Sequence, residues 1–158
     1  MSIAVIRPGE GDVLSAGPIR LRILEAGDRT SHRLGIVEVT LAPHTPGPPQ
    51  HVHRQHDETF YVVSGRPSFI SGNDEFTASA GELIVAGVGT PHTFANPGDE
   101  PAVMYCTVSP DRYIDYFREL DRLPKQSGGL DPKVVAEIMA RYATEVVQPG
   151  AERDRNGR

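Results

Sequence analysis

The sequence is poor in sulfur, in tryptophan and in long apolar runs, and each shortage removes a class of protein. Cys106 is the only cysteine, and there is no tryptophan. A single thiol excludes an internal disulfide framework and any thiolate metal cluster, so a bound metal must be held by histidines and carboxylates. The longest apolar stretches, such as Phe60–Val63 and Leu83–Ala86, fall far below the ~18 residues that span a bilayer. No transmembrane helix and no membrane partner are therefore expected. The opening residues MSIAVIRPGEGD lack the apolar region and small-residue cleavage site of an export signal, which makes the cytoplasm the expected location.

Positive charge is scarce where a nucleic-acid surface would need it. The net charge is −5, and residues 57–101 carry seven acidic groups against the single base Arg66. Counterion release from phosphates requires clustered Lys and Arg, so nucleic acid is excluded as a partner. What remains is a chain of 158 residues, 38% hydrophobic, against a usual ~100 to 200 residues per domain. It can close one modest core, and disorder throughout is excluded.

Up to residue 108 the pattern is that of short strands. Ile19, Leu21 and Ile23 alternate with Arg20 and Arg22, giving one apolar and one charged face. Further strand-like runs cover Leu34–Leu41, Glu58–Val63, Ser68–Ser71, Glu75–Ala78, Leu83–Val85, His92–Ala95 and Ala102–Val108. Gly, Pro, Asn and Asp fill the breaks between them, and such spacing predicts an all-β sandwich or small barrel. After Val108 the period becomes helical. Ser109-Pro110 reads as a cap followed by proline, with Tyr113, Tyr116, Phe117 and Leu120 on one face. Asp131-Pro132 repeats that start signal ahead of Val134, Val135, Ile138, Met139 and Tyr142. The expected organisation is a barrel over 1–108, a helical extension over 109–147 and a disordered tail over 148–158.

Four of the six histidines, His44, His51, His53 and His56, fall within thirteen residues, and Glu58 follows at once. His51 and His53 stand two apart, so on a strand both imidazoles leave the same face and reach one ion. Glu58 has the wrong parity for a continuous strand. The polar stretch Arg54-Gln55-His56-Asp57 is expected to form a turn or bulge that resets parity and brings Glu58 inward with Phe60 and Val62. His92 needs only a neighbouring strand. His56 and Asp57 read as a solvated turn, His44 as an exposed loop and His32 as a strand-edge residue. Phe60, Phe69, Phe76 and Phe94 read as core, Asn96 as a turn brace, and Cys106 as a small buried hydrophobe.

The complete spacing is Gly47-x3-His51-x-His53-x4-Glu58-x6-Gly65, then after fifteen residues Gly81-x5-Gly87-x-Gly89-x2-His92-x3-Asn96. It resembles the paired signatures of the cupin superfamily, G-x5-H-x-H-x3–4-E-x6-G and G-x5-P-x-G-x2-H-x3-N. Two positions depart from that pattern: three residues instead of five separate the first glycine from His51, and Gly87 stands where proline is usual. Neither is a ligand position. The resemblance covers roughly Leu34–Val108 and implies a double-stranded β-helix barrel, here followed by two helices. It also implies a metal held by His51, His53, Glu58 and His92.

Three imidazoles and one carboxylate suit one divalent transition metal, Fe, Mn, Ni, Co, Cu or Zn, and leave two of six positions open. The stretch His51–Gly65 and the following helix look like the small cupins grouped with quercetin dioxygenases. That likeness implies a dioxygenase acting on an enolic or aromatic, flavonol-like molecule, with Glu58 as both ligand and proton acceptor; strand parity with Glu58 and His92 is expected to turn Phe60, Val62 and Phe94 into the pocket. The alternatives are a redox-neutral isomerase or cyclase of a sugar or polyketide-like substrate, and a small-molecule-binding protein without catalysis. Exposed sheet edges and the apolar stripes of the helices make a homodimer the expected assembly.

Overall fold

The structure, a computed structural model, describes residues 3–124 and 129–148. Among the described residues, eleven strands and two helices follow one another. They are β1 (Val13–Ala16), β2 (Ile19–Glu25), β3 (Gly35–Leu41), β4 (His51–His53), β5 (Asp57–Ser64), β6 (Ser68–Ser71), β7 (Asp74–Thr77), β8 (Leu83–Ala86), β9 (Thr93–Ala95) and β10 (Ala102–Ser109). After them come α1 (Tyr113–Asp121), α2 (Pro132–Arg141) and β11 (Thr144–Val146).

Alternation sets the orientation of the main sheet. In β2 and β3, Leu21, Ile23, Val37 and Val39 are buried, while Arg22 and Glu38 stand opposite one another on the outer face with a 2.8 Å ion pair. The sheet runs β1-β2-β3-β10-β5-β8, antiparallel throughout, with β10 hydrogen-bonded to both β3 and β5. A second layer contains β7-β6-β9 and the pair β11-β4. A bridge between His51 and His92 joins those two parts at the start of β9. The layers meet through aromatic contacts from Phe60 on β5 to Phe69 on β6 and Phe94 at 5.5 and 5.2 Å. This is the double-stranded β-helix barrel expected from the sequence.

Both helices pack on the barrel. Tyr113, Ile114, Tyr116, Phe117 and Leu120 of α1, with Val135, Ile138 and Met139 of α2, belong to the same buried cluster as Leu21, Val39 and Phe60. Asp121 at the end of α1 accepts the amide of Ser15 on β1 at 2.8 Å. The start of α2 follows its sequence signal, since the Asp131 carboxylate accepts the amide of Lys133 and Pro132 is the first helical residue.

Several expectations are corrected. Helix α1 does not start at Ser109-Pro110 but at Tyr113, with Arg112 as its uncapped N-cap. The reason is that Ser109 still pairs with Asp57 in the ladder and its hydroxyl donates to the Arg33 carbonyl, leaving three residues to turn the chain. The extension is not purely helical, because β11 returns to pair with β4. His32 lies in a turn with φ of 60° and hydrogen-bonds Asp111. Phe76 is exposed on β7, stacked on the outer side of Phe69. Of the expected tail, all but Gln148 lies outside the described residues.

Ile114 is 1% exposed and presses on Gly35, where an added Cβ would come within 2.7 Å of it. Ile114→Ala should therefore lower stability by about 2–5 kcal/mol. Urea unfolding checks this, and a change below about 1 kcal/mol would mean that α1 packs only loosely on the barrel.

Candidate functional site

Strand β4 is only three residues long, yet all three are buried, because it lies between β11 on one side and the His92 segment on the other. The backbones of His51 and His92 exchange two hydrogen bonds of 3.0 and 2.9 Å, and the Gly89 amide donates to the His53 carbonyl at 2.8 Å. Gly89 has a φ of 81°, a conformation that favours glycine. At Gly47 a Cβ would fall 1.5 Å from the Phe94 carbonyl, so close approach of the lead-in to β9 requires a bare backbone there. Residues 54–56 leave the strand path, and β5 resumes with Glu58, Phe60 and Val62 all buried. The parity reset expected at this break is what turns Glu58 inward.

His51, His53, Glu58 and His92 converge: one ligand atom from each lies within 4.8 Å of the others, and all four residues are buried. An ion with bonds of about 2.1 Å separates its donors by at most about 4.2 Å, so a small inward shift would let the four hold one divalent cation.

The far side of every imidazole is anchored. Nδ1 of His51 donates to the Pro49 carbonyl at 2.8 Å and Nδ1 of His92 to the Thr90 carbonyl at 2.9 Å. Nδ1 of His53 lies 2.9 Å from the Thr144 hydroxyl, which itself donates to the Tyr142 carbonyl and so accepts from His53. Fixing Nδ1–H in this way leaves Nε2 as the metal-binding nitrogen of each ring.

In the structure Glu58 Oε2 receives Nε2–H from both His53 at 2.9 Å and His92 at 3.0 Å. The Nε2–H groups of His53 and His92 thus stand beside the carboxylate where a cation would. Burial pushes His92 down, but the hydrogen bond and charge of Glu58 win and hold it above its ordinary value. Burial likewise pushes the Glu58 carboxyl up, yet the donors from His53 and His92 outweigh it and leave Glu58 well below the usual carboxylate range. Burial, then the neighbouring His92 and His53, lowers His51 to about 3. Burial and His53 lower His56 to about 4. The Cys106 thiol, 3.1 Å from Glu58 Oε1, is pushed far up by burial and by the Glu58 charge, so it is a protonated donor.

A cavity of about 50 Å³ adjoins this cluster. His51, Glu58, Phe60 and Phe94 form its floor, and Tyr113, Tyr116, Phe117, Leu120 and Met139 bring α1 and α2 over it. Val62 is buried in the core and does not line it. His56 is no solvated turn residue: it is 4% exposed and lies between the rings of His53 at 3.9 Å and Tyr113 at 4.6 Å. His44 is exposed beside Asp99, and Asn96 braces its turn through the carbonyls of Leu41, Ala42 and Glu100. Sequence reasoning missed Thr144, Tyr113 and Tyr116. The tyrosines carry the same signal as any packing stripe, and Thr144 sits in a run too short to show a period.

Residues 37–108 match the Cupin domain family. No curated protein matches the chain. Among solved structures, KdgF from Halomonas sp. is 21% identical with a TM-score of 0.61, over 70% of this chain and 96% of that one. A protein described as a predicted oxalate decarboxylase from Thermotoga maritima is 16% identical with a TM-score of 0.61, over 68% and 99%. A sugar phosphate isomerase of the cupin superfamily from Silicibacter pomeroyi is 23% identical with a TM-score of 0.52, over 58% and 59%. At these identities the likeness is one of fold. No helix among the described residues is long and apolar enough to cross a membrane.

The buried imidazoles make stability depend on pH. His51 and His56 titrate near 3 and 4 when folded but near 6.5 when unfolded. Below pH 6.5 the unfolded chain therefore binds more protons at these two sites, and stability falls as pH drops towards 4. His92 has the opposite sign, because its raised value favours the folded state at low pH, but it is one group against two. Metal-free protein should lose stability between pH 7 and pH 5, and His56→Phe should flatten that slope. Urea midpoints across the range check both; an unchanged slope in the variant would remove His56 from the account.

Proposed function

We propose that the chain, whose residues 37–108 match the Cupin domain family, is a metal-dependent enzyme whose ligands are His51, His53, Glu58 and His92, and that it is a dioxygenase for a small enolic molecule. The observation that carries this reading is the wall of the cavity beside the ligands. Apart from His51, Glu58, Cys106 and the two tyrosines, the described lining is apolar, and it contains no Arg or Lys. A sugar needs a partner for each hydroxyl and a phosphate needs cations, so such a wall suits neither. It suits a flat apolar body with one oxyanion.

A divalent ion bound by these residues supplies a Lewis acid for the enolate oxygen and, where the metal is redox-active, a path for electrons to dioxygen. The chain's own residues do the rest. Glu58 Oε2 is placed to accept the enol proton, Phe60 and Phe94 flank the flat substrate, and α1 with α2 exclude water. Size narrows the substrate further. Each water needs about 10–15 Å³, and pockets for drug-sized ligands measure about 300–1,000 Å³, so about 50 Å³ holds only a few heavy atoms. A three-ring flavonol would require the helices to move, whereas a short dicarbonyl in its enol form would not. The reading includes a homodimer, for which the exposed Tyr61, Leu83 and Val85 on β5 and the edge strand β8 offer an apolar surface.

Purified protein should bind near one equivalent of a divalent metal, and His53→Ala or His92→Ala should lose most of it by elemental analysis. Affinity should fall as pH drops, because the His92 proton competes for the same nitrogen. Full occupancy in both variants would refute the ligand set.

The metal-loaded protein should consume oxygen with short dicarbonyls faster than with flavonols. Met139→Ala, by opening the roof, should raise turnover of the larger compounds relative to the smaller by roughly tenfold. An oxygen electrode and product analysis read both. Equal product without oxygen would replace the dioxygenase by a redox-neutral isomerase or cyclase, in which the Tyr113 and Tyr116 hydroxyls serve as acid groups. Tight binding without turnover would leave a binding protein.

A further inference from the structure

Glu58 has two carboxylate oxygens, and the imidazoles account for only one. His53 and His92 both meet Oε2. Oε1 is turned the other way, towards β10, in a residue only 3% exposed. The inward side chains of β10 are Ala102, Met104, Cys106 and Val108, of which only Cys106 carries a hydrogen-bond donor. Across the sheet on the other side, Glu58 is paired with Ala86, which carries none. Cys106 stands opposite Phe60 and therefore diagonal to Glu58 on the same face, with Sγ 3.1 Å from Oε1.

We propose that Cys106 is a positioning residue for the metal site: its thiol donates to Oε1 of Glu58 and so holds the carboxylate with Oε2 alone presented to the three imidazoles. This rests on the reading of His51, His53, Glu58 and His92 as metal ligands. A glutamate side chain has three torsions, and a buried carboxylate oxygen with no donor is costly. Without the thiol, Oε1 gains by rotating towards the imidazoles, which would change the carboxylate from one donor atom to two. A thiol suits this task because it is a weak donor. It orients the carboxylate while withdrawing little of the negative charge that a cation needs. It is also small enough for a position with 1% exposure between Val37 and Phe60.

The test compares Cys106→Ser, which keeps one donor, with Cys106→Ala and Cys106→Val, which keep none. Val fills the volume should Ala prove too unstable. Metal-free proteins are titrated with Co(II), reading the dissociation constant and the visible d–d spectrum, with circular dichroism as the check on folding. Ala and Val should weaken Co(II) binding about 10–100-fold and shift the d–d bands, while Ser restores both to within about threefold of the original protein. Wild-type affinity and spectrum in Ala and Val would overturn the proposal. So would a failure of Ser to restore them, which would mark a packing role, or a sulfur-to-cobalt charge-transfer band that Ser abolishes, which would make Cys106 a ligand. Failure of the unmodified protein to bind Co(II) would instead overturn the ligand set itself.

Discussion

A charged carboxylate in the middle of an apolar barrel is the constraint around which the rest is arranged. Glu58 is 3% exposed, and an isolated ionised carboxylate is among the costliest groups to take out of water. The fold answers with donors from three directions: His53 on β4, His92 ahead of β9 and Cys106 on β10. Those elements come from both layers of the barrel, so the charge is satisfied only when the layers are closed on each other. In the structure the Nε2–H groups of His53 and His92 point at the carboxylate. A divalent cation held by the same nitrogens would take over that role, and proton and metal would then compete for one place.

The helical extension belongs to this arrangement rather than being appended to it. α1 and α2 roof the cavity with Tyr116, Phe117, Leu120 and Met139, and β11 carries Thr144 to the rear of His53. The family match ends at residue 108, so the roof and the anchor of one imidazole both come from segments beyond it. Selectivity for small substrates would then be a property of the extension, while the donor set is a property of the barrel.

The split between what was legible in the sequence and what was not follows the range of the interactions. Ligand candidates were legible because His51 and His53 share a strand face, and because a polar break at residues 54–56 had to restore the parity of Glu58. Strands with solvated outer faces, such as Ile19–Glu25, announced themselves by alternation, and α2 by Asp131-Pro132. The start of α1 was misread because Ser109-Pro110 carries a cap signal while Ser109 is still held in the ladder with Asp57. His56 looked solvated by the polarity of its neighbours, but Tyr113, far along the chain, lies against its ring. Thr144 and the donor role of Cys106 left no local trace. Each depends on a partner brought by topology: His53 across β11 and β4, and Glu58 across β10 and β5.

His53 and Thr144 are separated by 91 residues. The entropy of closing so long a segment must be lost before the contact gives anything back. The ladders among β3, β5 and β10 do not involve the returning strand β11. The choice of tautomer at His53 does need it, because only the returning strand supplies the acceptor that keeps the proton on Nδ1. The barrel ladders and the anchor of His53 therefore rest on different parts of the chain. On the reading of these histidines as metal ligands, the contact that fixes the donor nitrogen of His53 is the one that β11 brings to β4.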